Sequence, residues 1–260
     1  MIDWAELSKE LQSMLHLKTN IIGYRRLDKV EELEKIGHIF RVRRLFTFCQ
    51  VPFLARVVGL TVGATKDDKM LDRCMRICGL KEVTEEDMRD EANMLSTTWF
   101  SSPGEALKQL RDYPHIPVGE AIVVGPLVRA NFEPEVILIY GNPAQVMMLL
   151  CGLQKEKYEH FQFSFIGQGA CVDSLAHCYV NGKPAVSIPC YSERAFGQVA
   201  DDEMAIALPP GEIERAISGL KKLAKSATGF AYPIQFVGGW ADVAPPLTAV
   251  YPDFTAMLKK

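Results

Sequence analysis

Seven cysteines are spread along the chain at positions 49, 74, 78, 151, 171, 178 and 190, none of them in a Cys-x-x-Cys or zinc-ribbon spacing. Cys49 lies near the start of an expected helix, Cys74 in a helical hairpin, Cys171 after the glycine turn GQGAC, and Cys190 after Pro189 at a strand end. Element ends are where reactive groups usually sit, whereas Cys151 and Cys178 fall in or beside apolar runs and read as core thiols. Thiolates drawn from distant loops suit an iron–sulfur cluster, which takes cysteine ligands without demanding local spacing. Cys49, Cys74, Cys171 and Cys190 are the expected ligands. Three would leave an iron open for lyase or dehydratase chemistry, and four would favour electron transfer. Cys74 and Cys78, four residues apart, would share one helix face and could offer two ligands to one ion. Two other readings stand beside this one. Cys171 at a helix start could be a reactive thiolate, its pKa lowered by the helix dipole. Alternatively, the cysteines are ordinary buried thiols of a metal-free small-molecule-binding or assembly module.

The segment YSERAFGQVADDEMAIALP brings Glu193, Arg194, Asp201, Asp202 and Glu203 close in sequence to Cys190. Arg194 could hold a carboxylate or phosphate bidentately, and Asp202 or Glu203 could act as a general base once burial raises its pKa. A small anionic substrate at Arg194, Asp202 and Glu203 is the expectation; a solvated turn is the bland alternative. Gly167 and Gly169 could turn backbone N–H groups toward an anion, but without a third glycine they are an incomplete nucleotide fingerprint. No P-loop or nucleophile elbow occurs. His115 and His177 have no spaced partner and read as structural.

These residues must be carried by elements legible from periodicity and punctuation. Asp3 with Glu6 resembles a capping box opening a helix that runs to about His16, and Asp28 reads as the cap of VEELEKI. NIIGYRRL reads as a strand; FCQVPFLARVV reads as a buried helix with Pro52 in its first turn. Residues 67–95 form a charged helical hairpin broken at Gly79, and Ser102-Pro103 opens another helix. AIVVGPL and EVILIY are continuous apolar strands, followed by a helix capped at Asn142. FQFSFIG reads as a third strand, Asn181-Gly182 as a hairpin turn, EMAIALP as the last strand, and GEIERAISGLKKLAK as the closing helix. Strands alternating with helices, plus a hairpin, predict an α/β fold with an α+β tendency: a mixed β-sheet with flanking helices.

The 260 residues fit one compact module, which could be divided into a helix-rich lobe at 1–115 and a mixed-sheet lobe at 116–260. A net charge of −3 leaves no basic excess for nucleic acid, and the cluster Arg41, Arg43 and Arg44 is too short to stand for such a face. No run approaches the roughly 20 apolar residues of a membrane span, and the acidic, amphipathic start does not resemble a signal peptide. A cytoplasmic protein is expected, in which an odd number of cysteines argues against structural disulfides. The apolar strands and methionines are compatible with a homodimer, and an electron-transfer centre would call for a redox partner.

Taken together, LKTN (17–20), FTFCQ (46–50), GPL (125–127), FEPEVILIYGNPAQ (132–145), GQGAC (167–171), IPCYSER (188–194) and DDEMAIALP (201–209) resemble the uncharacterised ArCR family. The resemblance implies a bacterial or archaeal cytoplasmic protein and brings with it no activity. Its family-like positions are Cys49, Asn142, Gln145, Gly169, Cys171, Cys190, Arg194, Asp202 and Glu203, with substrate contacts expected from Asn142, Gln145, Gly169 and Arg194. Cys74 is similar to a family cysteine, although CMRICGL carries methionine and arginine where proline and glycine belong, and Cys78 is extra. YSER likewise replaces a glycine-containing corner.

Overall fold

The computed structural model describes residues 2–226 and 229–234, so the tail of the 116–260 segment lies outside the described residues. Helix α1 (Trp4–Leu15) starts at Asp3, whose carboxylate accepts the Glu6 N–H at 2.9 Å. Strand β1 (Ile22–Leu27) leads to α2 (Val30–Ile36). The cap of α2 is Lys29, not Asp28: Lys29 N–H donates to Glu32 Oε1 at 3.1 Å, while Asp28 is taken by Arg26 at 2.6 Å. Helix α3 (Gln50–Phe53) holds Pro52 in its first turn and runs on as a π-helical turn, Leu54–Val58. Strand β2 (Val62–Thr65) precedes the helical hairpin, α4 (Asp72–Ile77) and α5 (Glu85–Ser96). Gly79 between them has φ +75°, and a Cβ there would stand 2.8 Å from Ile116 Cγ2, so only glycine fits.

Helix α6 (Pro103–Arg111) is capped by Ser102 Oγ, and strands β3 (Ala121–Pro126) and β4 (Val136–Gly141) follow. Helix α7 (Pro143–Glu156) opens at Asn142. After β5 (Phe163–Ser164), a π-helical turn, Val172–Ala176, passes into α8 (His177–Asn181). The chain then forms β6 (Ala185–Ser187), α9 (Tyr191–Ala195), β7 (Met204–Leu208) and α10 (Glu212–Ala224).

The strands form one sheet in the order β2-β3-β1-β4-β7-β6-β5, in which β5 and β6 are parallel and the other neighbours antiparallel. This mixed sheet with flanking helices is the expected α/β class. β1 sits between β3 and β4, so the sheet interleaves strands of the 1–115 segment (β2, β1) with strands of the 116–260 segment (β3, β4). Side chains alternate between faces with the period of two that a strand imposes. Tyr24, Val124, Leu138, Tyr140, Ala205 and Ala207 face one core with Phe48, Met75, Cys171 and Leu175. Ile137, Ile139, Ile206 and Leu208 face the other, under α1, α7 and α10. Each fully buried Leu or Ile here contributes about 1.5–3 kcal/mol of transfer free energy.

Two expectations fail for identifiable reasons. Asn181-Gly182 is not a hairpin turn: Gly182, at φ +61°, is the left-handed residue that ends α8, its N–H bonded to Cys178 O at 2.9 Å. A left-handed glycine serves helix ends and tight turns alike, so the dipeptide alone cannot separate them. FQFSFIG supplies only the two-residue edge strand β5, with Phe163 and Phe165 exposed.

Candidate functional site

Two sheet tyrosines position the elements that carry the cysteines. Tyr24 in β1 donates its hydroxyl to Cys78 O at 2.8 Å, tying down the end of α4. Tyr140 in β4 donates to Glu193 Oε1 at 3.4 Å, holding α9. The buried Arg56 stacks 4.6 Å above the Tyr140 ring and donates to Gly197 O at 3.2 Å and Gln198 O at 3.0 Å. Its Nη1 also pairs with Glu203 at 3.3 Å, which fixes the turn between α9 and β7.

Against this frame lies a cavity of about 470 Å³ whose wall includes Cys49, Cys74, Cys171 and Cys190. Cys49 caps α3, Cys74 lies in α4, Cys171 begins the π-helical turn and Cys190 precedes α9. All four are free thiols, with Cys49, Cys171 and Cys190 buried and Cys74 half-buried. Burial pushes the Cys49 thiol pKa up, followed by the influence of Glu193, Cys74 and Cys190. Burial likewise holds Cys171 well above the usual thiol range, reinforced by Cys49, Glu193, Cys190 and Cys74. Cys74 is raised by burial against the opposing pull of the Phe48 backbone and Arg73. The lowered Cys171 pKa expected from a helix start is thus reversed: desolvation disfavours the thiolate, and the neighbouring acidic groups add to it.

Much of the remaining wall is ionic. Glu91, buried in α5, pairs with Arg76 at 2.6 Å and with Arg73 at 2.8 Å. Arg73 also donates to Tyr113 Oη at 2.7 Å and Gln168 O at 2.5 Å, while Arg76 reaches Asp72 at 3.4 Å and Asp87 at 3.2 Å. With Asp90, the wall has four carboxylates against two guanidiniums, and Lys81, 2.5 Å from Asp72 and 3.8 Å from Asp87, is a third cation, so the charges nearly balance. Leu71, Met94 and Phe196 form an apolar part of the lining.

Behind Cys49 and Cys171 stands Glu193, 2% exposed, whose Oε2 has no hydrogen-bond partner. Burial raises its pKa to about 7, although Arg56 pulls it down. In the sequence Glu193 is only one more charge in an acidic turn, and nothing local signals that it is buried.

The remaining candidates are placed as follows. Gly169 lines the cavity, and a Cβ there would lie 3.1 Å from Tyr113 Oη. Arg194, Asp202 and Glu203 do not line it. Arg194 donates to Ala200 O at 2.5 Å and lies 3.9 Å from the exposed Asp201; Asp202 is exposed; Glu203 accepts from Ala200 N–H at 2.8 Å and holds Arg56. These groups brace the turn after α9. Asn142 and Gln145 lie on the opposite face: each side-chain oxygen accepts the other residue's backbone N–H, at 2.9 and 2.8 Å. Gln145 Nε2 donates to Leu15 O and His16 O at 2.9 and 3.0 Å, so both residues serve as caps and braces. Cys78 does not join Cys74: it follows the end of α4 and points into the core, Sγ 3.8 Å from Met70 Sδ. Cys178 is buried in the core and Cys151 half-buried. Partial burial lowers the pKa of His115, and His177 contacts Asn181 at 3.3 Å. Among the described residues, no three His, Cys, Asp or Glu side chains are grouped closely enough to hold one metal ion. No helix among them is long and apolar enough to cross a membrane.

Comparison with known proteins finds a relative in Methanocaldococcus jannaschii, an uncharacterised protein 26% identical over 102 residues. That match covers 39% of this chain and 44% of the relative, so the chain spans less than half of the relative's length. No solved structure matches. A family model matches residues 10–219, the stretch that contains all four cavity cysteines, the sheet and its bracing turn, and the chain therefore belongs to the uncharacterised ArCR family.

Proposed function

We propose that the chain is a cytoplasmic metalloprotein in which Cys49, Cys74, Cys171 and Cys190 hold an iron–sulfur cluster, serving redox or lyase-type chemistry on a small molecule. The observation that carries this reading is the meeting of four thiols, from four separate elements, on one cavity of about 470 Å³. The donor set fits. Buried thiols whose ionisation is disfavoured become good ligands once a bound cation replaces their protons. Bound there, the cluster would supply one-electron transfer with four thiolates, or an open Lewis-acid iron with three.

The chain's own residues have definable roles. Cys74, the half-buried thiol on α4, is the ligand whose release would open the centre. Arg73, fixed by Glu91 and Tyr113, is a cation that acts directly on the Cys74 thiol. Glu193 can hold or release a proton near neutrality beside Cys49 and Cys171. A metal-free thiolate mechanism is disfavoured by the raised Cys171 pKa.

The test is iron and acid-labile sulfide analysis, with visible absorption, on protein prepared without oxygen. Stoichiometric iron and sulfide are expected in the wild type, and loss of both in Cys49→Ser and Cys171→Ser. Core substitutions, Cys78→Ser and Cys178→Ser, should retain them. Well-folded wild-type protein without iron, or equal loss in cavity and core variants, contradicts the reading.

A further inference from the structure

The chain segment that carries Cys49 borders a second cleft. Thr47 and Cys49 line the cysteine cavity, whereas Phe46, Gln50 and Phe53 line a cleft of about 870 Å³; Phe196 borders both. Clefts of a few hundred to about 1,000 Å³ are the size that accommodates small ligands.

Its chemistry is unlike the rest of the molecule. In a chain of net charge −3, the cleft is lined by Arg41, Arg43 and Arg44 and by no Asp or Glu. Arg41 is neutralised by Asp68 at 2.6 Å and is further held by Thr65 at 3.0 Å. Arg43 and Arg44 are exposed and make no hydrogen bond or ion pair among the described residues. Two guanidiniums without a carboxylate partner thus border one cleft, and the oxygens of a phosphate chain accept bidentate hydrogen bonds from such planar forks. Four phenylalanines, Phe40, Phe46, Phe53 and Phe196, share the rest of the lining with aliphatic residues and two glutamines. Phe40 is 43% and Phe196 50% exposed, which leaves ring surface open in the same cleft as the cations. Exposed aromatic faces of this kind stack on nucleobases.

We propose that this cleft binds a mononucleotide, its phosphates on Arg43 and Arg44 and its base against Phe40 and Phe196. A dissociated phosphate would use only the arginines and a free base only the rings, so both moieties are required for full affinity. The proposal stands on the cleft alone and does not depend on whether the neighbouring thiols hold metal.

Calorimetric titration of the full chain with ATP, inorganic triphosphate and adenosine tests it. ATP is expected to bind, triphosphate at least about tenfold more weakly, and adenosine without measurable heat, because full affinity needs both the charged contacts and the stacked base. The exposed pair Arg43→Ala/Arg44→Ala should weaken ATP by at least about tenfold with an unchanged thermal melt, and Phe196→Ala should reduce the preference for ATP over triphosphate. Cys49→Ser should bind ATP like the wild type, which separates this site from the cysteine centre. Absence of ATP binding, unchanged affinity in the double arginine variant, or tighter binding of a single-stranded oligonucleotide than of ATP would overturn it.

Discussion

The two faces of the sheet differ in how closely their elements pack. On the face covered by α1, α7 and α10, each polar side-chain atom of Gln145 has a partner, and Asn142 is bonded to Gln145 N–H and Tyr232. The helices there approach so closely that a Cβ on Gly219 would stand 1.8 Å from Gly152 O. On the other face, four thiols border one open cavity and Glu193 Oε2 is buried without a partner. The packed face also buries one polar atom without a partner, Ser8 Oγ in α1, so the two faces differ in open space rather than in polar satisfaction. One face is closed by packing and the other leaves a cavity bordered by thiols.

The sharpest break between the faces is metal retention. Cys49→Ser or Cys171→Ser is expected to abolish iron binding, while Asn142→Ala leaves iron content at the wild-type level, as measured by elemental analysis of the folded variants. The next effect belongs to the packed face: Gly219→Ala should destabilise by about 3 kcal/mol or more through overpacking against Gly152, read as a fall in denaturation midpoint. A matched alanine at Gly211, where a Cβ meets nothing, should be nearly neutral.

A pH dependence of similar size belongs to the cavity face. Glu193 in the metal-free fold has a pKa of about 7, raised by burial from 4.5. A raised carboxyl pKa means the folded state binds the proton more tightly. Its contribution is therefore complete below the unfolded pKa and lost as pH rises through the folded one. Stability should fall between about pH 4.5 and 7 by on the order of 3 kcal/mol, and Glu193→Gln should flatten that slope in denaturant melts across pH. A Gln variant with the wild-type slope would move the source of the pH effect elsewhere. The smallest effect is that of the α7 cap: Asn142→Ala should cost about 1 kcal/mol with no change in pH slope.

What sequence could and could not show follows from the range of each interaction. The caps at Asp3, Ser102 and Asn142 depend on atoms three residues apart, and the structure has all of them. The positions of Cys49 and Cys171 at element starts are likewise local and readable, whereas Cys190, expected at a strand end, opens the short helix α9 that the sequence did not announce. The separation of Cys74 from Cys78 is not readable either, because helical spacing places both on one face only while the helix lasts, and α4 ends at Ile77. Arg194 and Glu203 looked like catalytic groups because they are charged and near Cys190, yet the turn that they brace is defined by Arg56, well over a hundred residues away in the chain. Glu193 was hidden for the same reason: its burial is made by Tyr140 and Arg56, partners that no local pattern announces.

X-ray absorption at the iron edge of the anaerobically prepared protein tests the central claim most directly. Scattering dominated by sulfur, with an iron–iron component, lost in Cys171→Ser and kept in Cys78→Ser, is the expected result. Iron bound only by light atoms, or the same sulfur signal in both variants, would contradict a cluster held by the cavity thiols.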